Sequence, residues 1–281
     1  YAEMVAATNF SFLRGASNGQ DIVLQALALG HTGIGIADRN TVAGVVRAWS
    51  ALKQVRKDGL PAPTRMREGG GPGETSWVEH PDEAKFRAHS AEMKRRAGKF
   101  KLCIGARLAF VDGTPDIVAY PVNREGWGRL CRILTAGNLR EAPGADRALK
   151  GECRLTLRAV LDLARDLLFV VMPGESLEGF DDLLATLRAA APTWLGATMH
   201  RRGDDARRLE KLKRIAAQAH VRLIATNDVL YHDPVQRDLQ DVMTCIREGV
   251  KIDAAGRLLE VNGERYLKPP EEMARLFRVA P

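Results

Sequence analysis

The chain has 281 residues, 45% of them hydrophobic, enough to bury one large core or two small ones, and it contains no run of about 18 apolar residues that could span a membrane. Its net charge of +7 is compatible with a nucleic-acid partner but is largely local: Lys53 to Lys101 holds 12 basic and 7 acidic residues, so no broad basic face is predicted. The four cysteines, Cys103, Cys131, Cys153 and Cys245, lie more than twenty residues apart, which excludes a zinc ribbon or CxxC pair and points to ordinary thiols in a reducing cytosol.

The chain begins at Tyr1 without a basic and apolar leader, so no secretory signal is legible; a start other than Met is expected of a piece of something longer. Tyr1 to Ala7 reads as a short buried strand. Ser17 to Leu29 reads as a helix, with Ser17 as N-cap, an apolar face from Ile22, Val23, Ala26, Leu27 and Leu29, and Gly30 as its stop. The small residues from Thr32 to Ala37 predict a buried strand ending at Asp38, and Val42 to Lys57 a second helix.

Gly59 to Ser76 holds Pro61, Pro63, Pro72 and the run Gly69-Gly-Gly-Pro-Gly73, a composition that predicts a mobile loop. The polar, helix-prone Asp82 to Lys99 follows. Together they read as an insertion at about 58–99, expected to be a solvated surface excursion rather than a DNA- or partner-contacting arm.

Beyond it the alternation resumes. Strands are predicted at Lys101–Phe110, Asp116–Tyr120, Leu167–Met172, Thr193–Met199 and Val221–Thr226. Helices are predicted at Gly126–Leu134, Leu157–Asp166, Asp181–Ala190 and Asp204–Ala219. Such alternation predicts an α/β fold built on a parallel sheet or barrel. After Asn227-Asp228 the pattern changes: a helix at Gln236–Glu248 shows Leu239, Val242, Met243 and Ile246 on one face, and a short helix at Glu271–Phe277 follows Pro269. This tail reads as a connector that packs against something further along.

Seven segments occur in an order that resembles a known family: Phe10-Ser-Phe-Leu-Arg-Gly-Ala-Ser17, Ile36-Ala-Asp-Arg-Asn-Thr-Val-Ala-Gly44, Trp127-Gly-Arg-Leu-Cys-Arg-Ile-Leu-Thr135, Lys150-Gly-Glu-Cys153, Ala225-Thr-Asn-Asp228, Leu239-Gln-Asp-Val-Met-Thr-Cys-Ile-Arg-Glu-Gly249 and Tyr266-Leu-Lys-Pro-Pro-Glu-Glu-Met273. Together they resemble the amino-terminal region of the C-family bacterial DNA polymerases, the alpha subunit of polymerase III. Arg39-Asn40 and the Leu-Cys-Arg-Ile-Leu-Thr stretch resemble the error-prone, damage-associated branch most. The resemblance runs from Tyr1 nearly to Pro281, apart from the Gly/Pro-rich stretch.

The resemblance implies a polymerase-and-histidinol-phosphatase (PHP) domain, a distorted, TIM-like barrel of seven β/α units over residues 1–235, with a helical connector at 236–281 leading toward a polymerase palm outside this chain. It implies that the parent is a DNA-directed DNA polymerase of damage repair and translesion replication, working in the cytoplasm with magnesium at a polymerase site outside this chain. The implied partners are the rest of the parent's own chain (palm and thumb), DNA through the parent, a sliding clamp and accessory translesion factors. No membrane is involved.

Active members of the family hold up to three divalent metals on His, Asp and Glu at strand ends, to acidify a water and clamp phosphoryl oxygens. Where the resemblance implies a His-x-His, this chain has Val5 and Ala7; an acidic position falls at Arg14; an Asp-His is Asp38-Arg39. A Glu position is Arg107, another ligand is implied near Ala197, and an Asp-x-His reads Asp228-Val-Leu230. Only Asp38 and Asp228 survive, so no metal, no cofactor and no catalytic residue is expected in this chain.

Arg14, Arg39 and Arg107 are expected to pair with Asp38, Asp228 and Glu3, closing the barrel mouth, or to form an anion pocket. His31, His200 and His232 are expected to be hydrogen-bonded structural residues rather than substitute ligands. The competing expectation is an active metal-dependent phosphoesterase or 3′–5′ proofreading exonuclease, which the missing ligands oppose. A freestanding nucleic-acid module would need a basic face with stacking aromatics, and aromatics are only 6%.

Overall fold

The computed structural model describes residues 1–60, 83–139 and 152–278. Seven strands form one sheet in chain order: β1 (Glu3–Ala6), β2 (Gly33–Arg39), β3 (Lys101–Leu108), β4 (Ile117–Pro121), β5 (Leu167–Val171), β6 (Thr193–Ala197) and β7 (Arg222–Ala225). The helices are α1 (Gly19–Ala28), α2 (Val45–Asp58), α3 (Glu83–Lys99), α4 (Arg124–Leu139), α5 (Leu157–Leu161), α6 (Phe180–Ala190), α7 (Asp205–Gln218), α8 (Arg237–Glu248) and α9 (Pro270–Leu276). The sheet curls until the chain beyond β7 meets β1, where Ala7 N–H donates to Val229 O at 2.9 Å and Val229 N–H to Val5 O at 2.8 Å. The fold is thus the expected α/β type, a distorted β/α barrel. None of its described helices is long and apolar enough to cross a membrane.

One strand departs from the β/α rhythm. β4 runs antiparallel to both β3 and β5, whereas the other neighbours are parallel. Only eight residues join β3 to β4, too few for the crossover a parallel pair requires, so the chain turns back as a hairpin.

Three apolar layers hold the barrel. Its interior is filled by Val5, Ala37, Val118, Tyr120, Val170 and Met172. Tyr120 fits there because two neighbours lack side chains: a Cβ on Gly35 or Gly105 would overlap the Tyr120 ring or hydroxyl. Outside, β1 and β2 pack with α1–α3 through Ile22, Leu27, Ile34, Ile36 and Leu52. The other half, from β3 to β7, packs with α4, α6 and α7 through Leu130, Phe169, Leu184, Leu195 and Leu209.

Two sequence expectations need correction. The residues now seen as α3 are not a solvated excursion. Met93 and Ala97, with Phe100 just after the helix, are buried against α1 and α2. Arg96 donates to Leu27 O and Ala28 O at 3.0 Å, and Arg56 to Ala97 O and Phe100 O at 2.9 and 2.7 Å, covering carbonyls that both helix ends leave free. The N-cap of α1 is Asn18, whose side chain accepts from Gln20 N and Asp21 N at 2.8 and 3.0 Å. Ser17 is occupied elsewhere: its hydroxyl accepts from His232 N at 2.9 Å and shares a 2.7 Å hydrogen bond with His232 Nδ1.

The loop expected at Gly59–Ser76 lies outside the described residues from 61 onward, as do Lys150 and Gly151. Residues after 236 fold back onto the barrel, with Leu267, Met273 and Phe277 joining its cores. α8 nevertheless keeps Leu239, Val242 and Ile246 exposed at 48, 48 and 61%. All four cysteines are free, Cys245 buried and the others half-buried.

Candidate functional site

The C-terminal ends of β1, β2 and β3, with the start of antiparallel β4, α8 and the returning tail, surround a cavity of about 100 Å³. Parallel register places Arg39 opposite Arg107 across β2 and β3, so two guanidinium groups necessarily meet at this end. Ala7 and Leu230 contribute apolar wall, and Arg14, Arg247 and Arg265 complete a five-arginine lining. Val5 instead points into the barrel interior, and Ala197 is buried in the core between sheet and helices.

The two carboxylates singled out from the sequence are held in different ways. Asp38 is 1% exposed and accepts from Thr8 N (2.6 Å), Thr8 Oγ1 (2.8 Å) and Ser11 Oγ (2.7 Å). Among the described residues no arginine reaches it, contrary to expectation, because Thr8 and Ser11 enclose it. Gly44 closes the same space, since a Cβ there would overlap Asp38 Oδ2 and Thr8 Oγ1. Burial raises the Asp38 pKa against the hydroxyl and amide donors that oppose the shift.

Asp228, in the left-handed region at φ 48°, takes one guanidinium on each oxygen: Arg107 Nη2 on Oδ1 at 2.6 Å and Arg265 Nη2 on Oδ2 at 2.7 Å. Burial pushes its carboxyl up, but Arg107 and Arg265 overcome that and hold it below the ordinary range. Arg265 also donates to Asp228 O at 2.9 Å and to Glu260 Oε1 at 2.6 Å.

Arg39 turns to Asp116 at 3.2 Å, and Arg107 Nε lies 3.7 Å from the same oxygen. Glu3 is equally far from the expected arginine pairing. Its buried carboxylate accepts from Tyr1 Oη (2.7 Å), Val5 N (2.8 Å), Asn227 N (2.7 Å) and Thr226 Oγ1, and burial raises its pKa. The Arg14 guanidinium has no hydrogen-bond or ion-pair partner among the described residues, while its backbone N–H donates to Ser11 O at 2.8 Å. Burial, then repulsion from Arg39 and Arg247, lowers its pKa to about 10, so it stays charged at neutral pH.

The histidines are tied to the framework. His31 Nε2 bonds Lys268 O at 2.9 Å, His200 Nε2 bonds Asn227 O at 2.9 Å, and His232 bonds Ser17. Among the described residues no three His, Cys, Asp or Glu side chains are placed to share a metal ion. A larger hollow of about 670 Å³ at the other end of the barrel is lined by Met4, Leu102, Tyr120 and Trp194 and carries no charged side chain. Titratable side chains line the smaller cavity and an adjoining hollow of about 420 Å³ that His200, Arg202, Asp205, Arg208 and the far side of the Asp228–Arg265 pair surround.

The sequence reading missed Asp116, Gln240, Arg247, Glu260 and Arg265. Three of them sit in or beside quoted segments, where Gln240 and Arg247 share one face of α8 and Arg265 precedes Tyr266. A helix-face count that included polar residues would have flagged the first two.

No family model matches the chain. It is 47% identical over 284 residues to the error-prone DNA polymerase of Brucella abortus, covering 100% of this chain and 22% of that protein. The error-prone DNA polymerase of Rhodopseudomonas palustris is 45% identical over 285 residues, with the same two coverages. This chain is homologous to a segment of the error-prone DNA polymerases. It spans about a fifth of the length of these curated relatives. A solved structure from Bifidobacterium adolescentis, described as a metal-dependent phosphoesterase, is similar with a TM-score of 0.48 and 14% identity over 81% of this chain and 86% of that one.

Proposed function

We propose that this chain is the N-terminal domain of an error-prone DNA polymerase and that the domain itself is a metal-less pseudo-enzyme, a barrel that supports the parent's polymerase core. On this reading the parent carries out DNA-directed synthesis at damaged templates in the cytoplasm. Its magnesium site, its DNA contacts and its recruitment by a sliding clamp and accessory factors lie beyond this chain.

The observation that carries the reading is the lining of the cavity. Ala7, Arg14, Arg39, Arg107 and Leu230 occupy positions where the resemblance implies metal ligands. Methyl groups and guanidinium ions do not fit a cation cluster, which needs several anionic or imidazole donors per metal. Two like unit charges about 4 Å apart repel by roughly 4 kcal/mol at an effective dielectric of 20, and a divalent ion doubles that. The two remaining carboxylates are already committed, Asp38 to hydroxyls and Asp228 to arginines. The exposed stripe Leu239, Val242 and Ile246, with Phe12 at 79% exposure, supplies an apolar face for the rest of the parent.

Metal analysis of protein purified without chelator, paired with a manganese-supplemented exonuclease assay, tests the reading. No stoichiometric metal and no hydrolysis are expected. Two or more bound metals per chain, or hydrolysis abolished by Asp38→Asn, overturns it.

A further inference from the structure

Three polar groups facing the arginine-lined cavity lack partners. Among the described residues the half-buried Arg14 guanidinium has no hydrogen-bond or ion-pair partner, the buried Arg107 Nε–H has no acceptor closer than Asp116 Oδ2 at 3.7 Å, and the buried Gln240 Oε1 has no donor. Buried polar groups are almost always satisfied, so two orphaned atoms facing one cavity, with an unpaired half-buried guanidinium beside them, mark a missing occupant. The charge count gives its sign. Arg39 is paired with Asp116, Arg107 with Asp228, Arg265 with Asp228 and Glu260, and Arg247 with Glu248. Arg14 is the fifth guanidinium and leaves the site one positive charge in excess.

Size limits the occupant further. One water needs roughly 10–15 Å³ of such space, so about 100 Å³ accommodates a tetrahedral oxyanion but not a sugar and base. Gln240 suits an oxyanion in either amide orientation. As placed, Oε1 can accept the proton of a hydrogen phosphate; turned over, Nε2 donates and Oε1 accepts from the Thr244 hydroxyl that now bonds Nε2 at 3.0 Å.

We propose that this cavity is a phosphate site, in which Arg14, Arg107 and Gln240 bind one phosphate group through guanidinium and amide contacts where the resemblance implies metals. The proposal rests on the metal-less reading of the same cavity, yet it is tested in the presence of chelator, so that bound metal and bound phosphate are separate results. The group can come from free phosphate or from the phosphorylated end of a DNA strand.

The test is thermal melting with EDTA, in inorganic phosphate against chloride of matched ionic strength. A rise of roughly 2–4 °C is expected at phosphate tenfold above its Kd. Arg14→Gln is expected to melt higher than wild type without phosphate, because it removes an unpaired cation crowded by Arg39 and Arg247, and to show no phosphate-dependent rise. Arg14→Lys, which keeps the charge, is expected to retain a reduced rise; it is the working variant should the Gln form not fold. The exposed Arg165→Gln, a control outside the cavity, keeps the full rise. Absence of a rise in wild type, or an undiminished rise in either Arg14 variant, overturns the proposal. A 5′-phosphorylated oligonucleotide compared with its 5′-hydroxyl form identifies the source: stronger stabilisation by the phosphorylated strand assigns a DNA end, and equal stabilisation assigns free phosphate.

Discussion

Arg265→Met is the sharpest test of how the barrel mouth is held. Arg265 is largely buried, its side chain 13% exposed; it bonds one oxygen of Asp228 and one of Glu260 and also caps the Asp228 carbonyl. Methionine keeps most of the aliphatic bulk and removes only the donors. Breaking a buried pair from one side costs about 3–5 kcal/mol, because the abandoned carboxylate stays desolvated. Here Arg107 still holds the other Asp228 oxygen, which places the loss near the lower end, about 3 kcal/mol. For a domain of this size that corresponds to a fall in Tm of roughly 5 °C.

The pH profile gives a second readout. Asp228 is held below its ordinary value of 3.8 in the folded state. Its pairing therefore contributes stability above the unfolded pKa and loses it as pH falls through the folded one. With one guanidinium gone, burial lifts the carboxyl, and the acid limb of the variant moves to higher pH. Denaturant melts across pH 2–6 measure both effects. The half-exposed Arg201, paired with Glu264 and Glu272 at the surface, is the comparison; Arg201→Met should cost about 0–1 kcal/mol. If Arg265→Met costs no more than Arg201→Met, or leaves the acid limb where it was, the clamp is not what holds this end of the barrel.

Two further expectations rest on separate observations. Gly44→Ala drives a Cβ into Asp38 Oδ2 and Thr8 Oγ1 and should cost about 1–3 kcal/mol in denaturant melts, whereas the exposed Gly98→Ala, with open space at its Cβ, should not destabilise. Ile246→Glu on the exposed face of α8 should change the stability of this chain by no more than about 0.5 kcal/mol while, under the proposed function, lowering DNA synthesis by the longer polymerase; full synthesis by the variant would remove that face from the proposed contact.

Strand and helix placement was legible because the apolar runs are unambiguous: Leu167–Val171 and Gly33–Ala37 can hardly be anything but buried strands. The antiparallel β4 was not, since direction is set by the length of the connection rather than by the residues of the strand. α3 was misread because its buried positions, Met93, Ala97 and Phe100, are spaced by four and three among charged neighbours that dominate its composition. The arginine positions at the site were legible one at a time. Their partners were not: Asp116 reaches Arg107 and Arg39 only through the β3–β4 hairpin and the β2–β3 pairing, and Asp228 and Arg265 come from the distant returning chain. Asp38 was assigned an arginine on charge alone, whereas Thr8 and Ser11, two and five residues beyond β1, take every place around it.

The closure of the barrel ties these observations together. β7 ends at Ala225, and the backbone seam to β1 consists of the two hydrogen bonds around Val229. Side chains reinforce it on both sides. Upstream, the Glu3 carboxylate of β1 collects Thr226 Oγ1 and Asn227 N, just before Val229. Next to the bond, Asp228 reaches across the mouth to Arg107 on β3 and to Arg265 in the returning tail. A backbone seam this short would be a weak point in a curled sheet, whose unpaired edges otherwise invite water or another strand. The buried Glu3 carboxylate and the largely buried Asp228 carboxylate, each with converging donors, close it instead. Asp228 thus has a structural task at the seam that its two arginine partners fulfil.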